Sequence, residues 1–143
     1  MKKLKRIKRN KYRPKKEEPL VKKQHEFNIT PTDRVVNTYM IDSKKLREII
    51  SISYECLINN EWITIVYYDN DKSHNDRLHV HFRVSYQNQE YETPKSENVR
   101  QKGTVKRLNT WAVEDLKNNY MAYKRKFFKR SNLDELSYWQ QFV

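Results

Sequence analysis

Apolar and polar positions alternate most cleanly from residue 77 to residue 85. Leu78, Val80, Phe82 and Val84 point one way along an extended chain, and Arg77, His79, His81 and Arg83 point the other. That period of two predicts a half-buried strand. The same period runs through Ile50, Ile52, Tyr54, Cys56 and Ile58, and a stretch rich in β-branched and aromatic residues follows from residue 61 to residue 68. Asn59-Asn60 lies between these two stretches, and asparagine tolerates positive φ, so the pair reads as a hairpin. Residues 69–76 read as a polar loop, and residues 91–93 as a short fourth strand stopped by Pro94. Val35, Val36, Tyr39, Met40 and Ile41 suit a first strand or a lead-in over residues 32–41, with residues 43–46 as a connector.

The period then lengthens. Leu116, Tyr120, Tyr123 and Phe127 recur at the spacing of one helical face, which predicts a helix over residues 110–130. Asn109 or Thr110 is its expected cap, and Glu114 and Asp115 in the first turn would complement the helix dipole. Asn132 followed by Glu135 suggests a second capped helix through Leu136 and Trp139. The fold class expected is therefore α+β: a three- or four-stranded antiparallel meander packed on a C-terminal helix. The free face of the sheet would be solvated or covered by a partner.

Charge changes this picture at the N-terminus. Lys2, Lys3, Lys5, Arg6, Lys8, Arg9, Lys11 and Arg13 lead a segment, residues 1–25, whose net charge is +10. Pro14 and Pro19 break any helix there, and the segment is too poor in apolar side chains to offset its ordering entropy. A disordered basic arm over residues 1–25 and one α+β domain over residues 26–143 are expected. Residues 26–94 are net −4 and residues 95–130 net +8, so the sheet region is mildly acidic between two basic flanks. Such a distribution suits a polyanion, with the arm and Lys102, Lys106, Arg107, Lys124, Arg125 and Lys129 neutralising phosphates. A solubility tail or a targeting-like basic run would use the same arm residues.

Several classes are disfavoured. Cys56 is the one cysteine, which leaves no internal disulfide and no cysteine-based zinc cluster. Gly103 is the one glycine, so no Gly-rich phosphate cradle can form. No apolar run is long enough for a bilayer or a signal-peptide core, and a cytoplasmic protein with no membrane partner is expected.

The polar face of the 77–85 strand offers the most chemistry. Arg77, His79, His81 and Arg83 follow one another at roughly 7 Å, a pitch that suits a phosphate backbone. Alternatively, His79 and His81 are the acid–base pair of a metal-independent ribonuclease, with Arg77 or Arg83 stabilising the transition-state charge and Tyr67, Tyr68 or His74 assisting. His79 and His81 with His74, Asp69 or Asp71 would also give a nitrogen- and oxygen-rich metal site, against which the flanking arginines argue; no metal or cofactor is expected. A solvated face balanced by Glu55, Asp69 or Asp71 needs none of this. Trp62, Tyr54, Trp111, Tyr120 and Tyr123 are expected in the core, and Tyr67, Tyr86 and Tyr91 are freer to stack on bases.

Tyr68-Asp69-Asn70, then His74, then His79-Val80-His81 resembles the central motif of TumE-like small proteins, toxin components of prokaryotic toxin–antitoxin pairs. The resemblance implies a compact sheet protein directed at RNA or another nucleic acid and neutralised by an antitoxin partner. The basic arm is more like those of ribonucleoprotein subunits. Three readings remain open: a small RNA- or DNA-binding protein acting as a ribonucleoprotein or defence-system component, a toxin-like ribonuclease, and a protein-interaction subunit of a larger complex.

Overall fold

The computed structural model describes residues 19–71, 74–94 and 104–133, with the backbone alone for residues 71 and 74–77. Six strands follow one another in chain order: β1 (Val21–Thr30), β2 (Asp33–Asp42), β3 (Lys45–Ile58), β4 (Glu61–Asp71), β5 (His74–Arg83) and β6 (Tyr91–Glu92). They pair antiparallel in that same order to form one meander. Among the described residues one helix, α1 (Val105–Arg130), follows the sheet and covers one of its faces.

The α+β class stands, but the meander has six strands rather than three or four. β1 starts at Val21, inside the stretch expected to be arm, so Lys22, Lys23 and His25 belong to the sheet. Residues 1–18 lie outside the described residues, as do Lys102 and the remainder of the second helix expected after Asn132. Residues 43–44 are a tight turn rather than a loose connector. Ser43 and Lys44 have φ of 47° and 69°, the same left-handed geometry that Asn59 and Asn60 adopt with 51° and 62°. Neither serine nor lysine advertises that geometry, whereas Asn-Asn does.

The helix begins at Val105, five residues before the expected start at residue 110. Thr104 caps it, its Oγ1 accepting from the backbone N–H of Arg107 at 3.2 Å. Its first turn therefore holds Lys106 and Arg107 and no acid, so Glu114 and Asp115 lie deeper in the helix.

The core lies between α1 and the inner face of the sheet. Ile52, Tyr54, Cys56, Val66, Leu78 and Val80 meet Leu108, Ala112, Leu116 and Phe128, all buried. Truncating an enclosed leucine of this kind to alanine costs about 2–5 kcal/mol. Ile65 and Val66 are consecutive yet both buried, because a bulge opposite Tyr54 and Glu55 interrupts the alternation. Polar bonds fix the helix on the sheet: Tyr68 and Tyr123 both donate to Asp115 at 2.7 Å, and Asn37 and Asn109 exchange amide bonds at 2.9 Å.

One buried cluster is ionic. The Asp33 carboxylate accepts from Tyr54 (2.5 Å), Thr30 (2.5 Å) and Thr32 (3.0 Å), and Lys124 Nζ lies 3.3 Å from it. Lys124 is 2% exposed, which corrects its expected role as a phosphate ligand. Its place four residues after Tyr120 turns it inward, toward Asp33.

Candidate functional site

The outer face of the sheet, opposite α1, carries the polar halves of the strands. Gln24, Thr38, Ser51, Ser53, Thr64 and Tyr67 are among the residues that line a groove of about 360 Å³ across it. Arg34 lies in that groove. Its Nε and a terminal nitrogen reach the Glu55 carboxylate at 2.8 and 2.7 Å, Glu26 accepts at 3.4 Å, and the guanidinium sits 4.1 Å over the Trp62 ring. Trp62, expected in the core, is half-buried on this outer face, because the bulge changes which residues of β4 face inward.

The groove ends at the β4–β5 rim, where the antiparallel register sets Tyr67 opposite His81 and Asp69 opposite His79. His81 Nε2 lies 2.8 Å from Asp69 Oδ1, and its Nδ1 lies 2.5 Å from Thr93 Oγ1. With both ring nitrogens engaged, the imidazole has a fixed orientation. The Tyr67 ring stacks on it at 4.6 Å between centroids and 25° between planes. Tyr91 from β6 meets Tyr67 edge-on at 5.0 Å, and its hydroxyl reaches the Thr64 carbonyl at 3.4 Å. Burial, then the Asp69 charge, pushes the Tyr67 phenol above its ordinary value, so it stays protonated at neutral pH.

Arg83 reaches along the turn that follows its strand. Its guanidinium donates to the backbone carbonyls of Ser85 at 3.0 Å and Tyr86 at 2.9 Å, which braces the β5–β6 turn. The side chains of Arg77 and His74 lie outside the described residues. His79 is half-buried on the same face as His81. The expected cations of the helix, Lys106, Arg107, Arg125 and Lys129, are exposed but belong to the layer on the opposite side of the sheet. Among the described residues no group of three or more His, Cys, Asp and Glu side chains could hold a metal ion.

The sequence pointed to Tyr67 and Tyr91 as stacking rings and to Asp69 as a metal ligand or a balancing charge, assigned Trp62 to the core, and missed Arg34 and Thr93. The signal for Arg34 was present: it alternates with Asp33 and Val35 on a strand paired to Glu55.

The fold and site together define a small single-sheet α+β protein with one polar, aromatic-edged face left open by its helix. A family model described as "Domain of unknown function (DUF7718)" matches residues 15–133, and the chain belongs to that family. No curated protein and no solved structure shows a match to the chain. Among the described residues no helix is long and apolar enough to cross a membrane.

Proposed function

We propose that the chain binds single-stranded RNA across the open face of its sheet, as a component of a ribonucleoprotein or a defence system. The observation that carries this reading is the stacked set of Tyr67, His81 and Tyr91 at the end of a hydroxyl-lined groove. Ring faces of this kind accept any base, and the Ser, Thr and Gln side chains along the groove can hydrogen-bond base edges or 2′-hydroxyls. Residues 1–25, at net +10, supply the attraction to phosphate. The helix cations stand on the far side of the sheet and act chiefly through the protein's field, which salt screens over about 8 Å.

The test is fluorescence anisotropy with a labelled single-stranded oligoribonucleotide over a range of salt. Tyr67→Ala with Tyr91→Ala should weaken binding about tenfold or more and leave the salt slope unchanged, since stacking is worth roughly 1–3 kcal/mol per base. Removing residues 1–18 should flatten the slope. Unchanged affinity in the tyrosine variant would remove the open face from the reading, and an unchanged slope would remove the arm.

A second reading, a toxin-like metal-independent ribonuclease, is favoured by the fixed setting of His81 between Asp69 and Thr93. In it the substrate takes the place of the Thr93 hydroxyl at His81 Nδ1, that nitrogen and His79 exchange protons with a 2′-hydroxyl and a leaving oxygen, and Asp69, on Nε2, orients the ring. His79→Ala with His81→Ala should then abolish cleavage and toxicity while RNA is still bound. Retention of either activity would exclude this chemistry.

A further inference from the structure

β1 is ten residues long, lies at the edge of the sheet, and is exposed from Val21 to Asn28. Among the described residues nothing pairs with its outer side, so a row of backbone N–H and C=O groups stands open, a template for another strand. Of the five exposed large hydrophobic side chains among the described residues, three lie on β1 or just before it: Leu20 (50%), Val21 (46%) and Phe27 (40%). The Phe27 ring is covered on one side by Lys117 Nζ at 3.6 Å.

We propose that β1 pairs antiparallel with β1 of a second copy of this chain, with Gln24 on the two-fold axis, to form a continuous twelve-stranded sheet. Directly opposed residues of an antiparallel pair share a face, so the axis must pass through one residue and stand normal to the sheet. With Gln24 on the axis, Lys22 faces the partner's Glu26 and Val21 faces the partner's Phe27, each pairing occurring twice. Lys23 faces the partner's His25 and Leu20 the partner's Asn28, the two pairings without evident gain. Moving the axis to His25 would set Lys23 against Phe27 and Lys22 against Asn28. Moving it to Lys23 would set Val21 against His25 and Glu26 against Leu20. Only the Gln24 axis matches charge with charge and apolar with apolar.

The same register completes rows that run across each sheet. Phe27, Val35, Tyr54, Val66 and Phe82 follow one another across β1 to β5 on the inner face, and the row is open at Phe27. The partner's Val21 would close it. Val21, Ile41 and Leu46 form a second inner row, open at Val21, and the partner's Phe27 would close that one. On the outer face Gln24, Thr38 and Ser51 make a polar row that would meet its copy at the axis. None of this depends on the RNA reading.

The test uses the full chain, treated with nuclease, stripped of polynucleotide by a high-salt wash and then returned to moderate salt, so that no polynucleotide bridges two copies and the charge pairs are not screened away. Light scattering coupled to size exclusion should give twice the 17.6 kDa of one chain. Gln24→Cys should form a disulfide-linked dimer under mild oxidation, because self-opposed Cα atoms lie about 4.5–5.5 Å apart, whereas Asn28→Cys should not. Cys56 is buried and does not compete. Lys22→Glu should weaken association roughly tenfold, as two cross-strand pairs turn from attraction to repulsion, and adding Glu26→Lys should restore it. A mass of one chain at every concentration would overturn the proposal. So would a dimer that Gln24→Cys cannot cross-link, or one that the charge swap leaves unmoved.

Discussion

Asp33 and Arg34 are neighbours on β2 with opposite charges, and strand alternation sends them to opposite faces of one sheet. Asp33 is 1% exposed and meets three hydroxyls and the Lys124 ammonium beneath the helix. Arg34 lies in an open groove, its side chain 19% exposed, and meets two carboxylates and an indole. Both are well partnered, but the environment sets the consequence. A buried charge has no water to fall back on when a partner is removed, whereas a charge in a groove does. The inner face therefore spends its polar groups on holding α1 to the sheet, and the outer face keeps its polar groups available to a ligand.

The largest break in that comparison comes from Asp33→Ala. It takes the carboxylate away from the buried Lys124 ammonium and leaves the hydroxyls of Tyr54, Thr30 and Thr32 without that acceptor, at a cost of about 3–5 kcal/mol in urea denaturation. Adding Lys124→Met removes the buried positive charge and should recover part of the loss. Next in size is Tyr54→Phe, which deletes one hydrogen bond to a charged group in the same cluster, for about 1.5–3 kcal/mol. The Tyr54 phenol is held far above its ordinary value, by burial first, with the Asp33 charge and the hydrogen bond to it adding to the shift. It therefore donates at any pH the fold survives.

How far the sequence discloses each face follows from the same physics. The strands β3 and β5 and the Leu116, Tyr120, Tyr123 and Phe127 stripe were legible, because burial imposes a period on apolar side chains. β1 was not: it is exposed on both faces for eight of its ten residues, carries two lysines, and so shows no alternation to read. The start of α1 was missed because Lys106 and Arg107 run against the dipole preference, though Val105, Leu108, Ala112 and Leu116 continue the inward stripe. Lys124 read as surface because lysine is rarely buried without a partner, and its partner lies 91 residues away in sequence. At the site, the Tyr68-Asp69-Asn70 and His79-Val80-His81 motifs were visible as text. Only the β4–β5 register brings Asp69 to the two histidines.

A smaller effect is the acid dependence of the inner face. Burial raises the Asp33 carboxyl, but hydrogen bonds from Thr30 and Tyr54, the Lys124 charge and a further bond from Thr32 outweigh it, and the net shift is downward from 3.8. The unfolded chain then takes up a proton before the folded one does as pH falls. The stabilisation is complete above the ordinary carboxylate value and is lost as pH drops below it toward the folded value. Stability measured from pH 6 down to pH 2 should fall through that window. The fall should be shallower in Asp33→Asn.

The smallest stability change should come from Arg34→Ala, about 1 kcal/mol or less, because a pair at the edge of solvent contributes little net energy and the ring contact adds only a part. Its effect on RNA should be the larger one. Without the guanidinium, the Glu55 carboxylate stands bare in the groove and repels a phosphate, so affinity should drop several-fold while the midpoint of unfolding hardly moves. Arg34→Lys should restore it only in part, since an ammonium lacks the planar fork that sets two donors on one Glu55 oxygen and lies over the Trp62 ring. Ser53 and Thr64 hydroxyls reach the other Glu55 oxygen at 3.5 and 3.4 Å, which holds that carboxylate in place in either variant. If Arg34→Ala instead unfolds as readily as Asp33→Ala, the outer face is part of what holds the sheet together, and the division between the two faces fails.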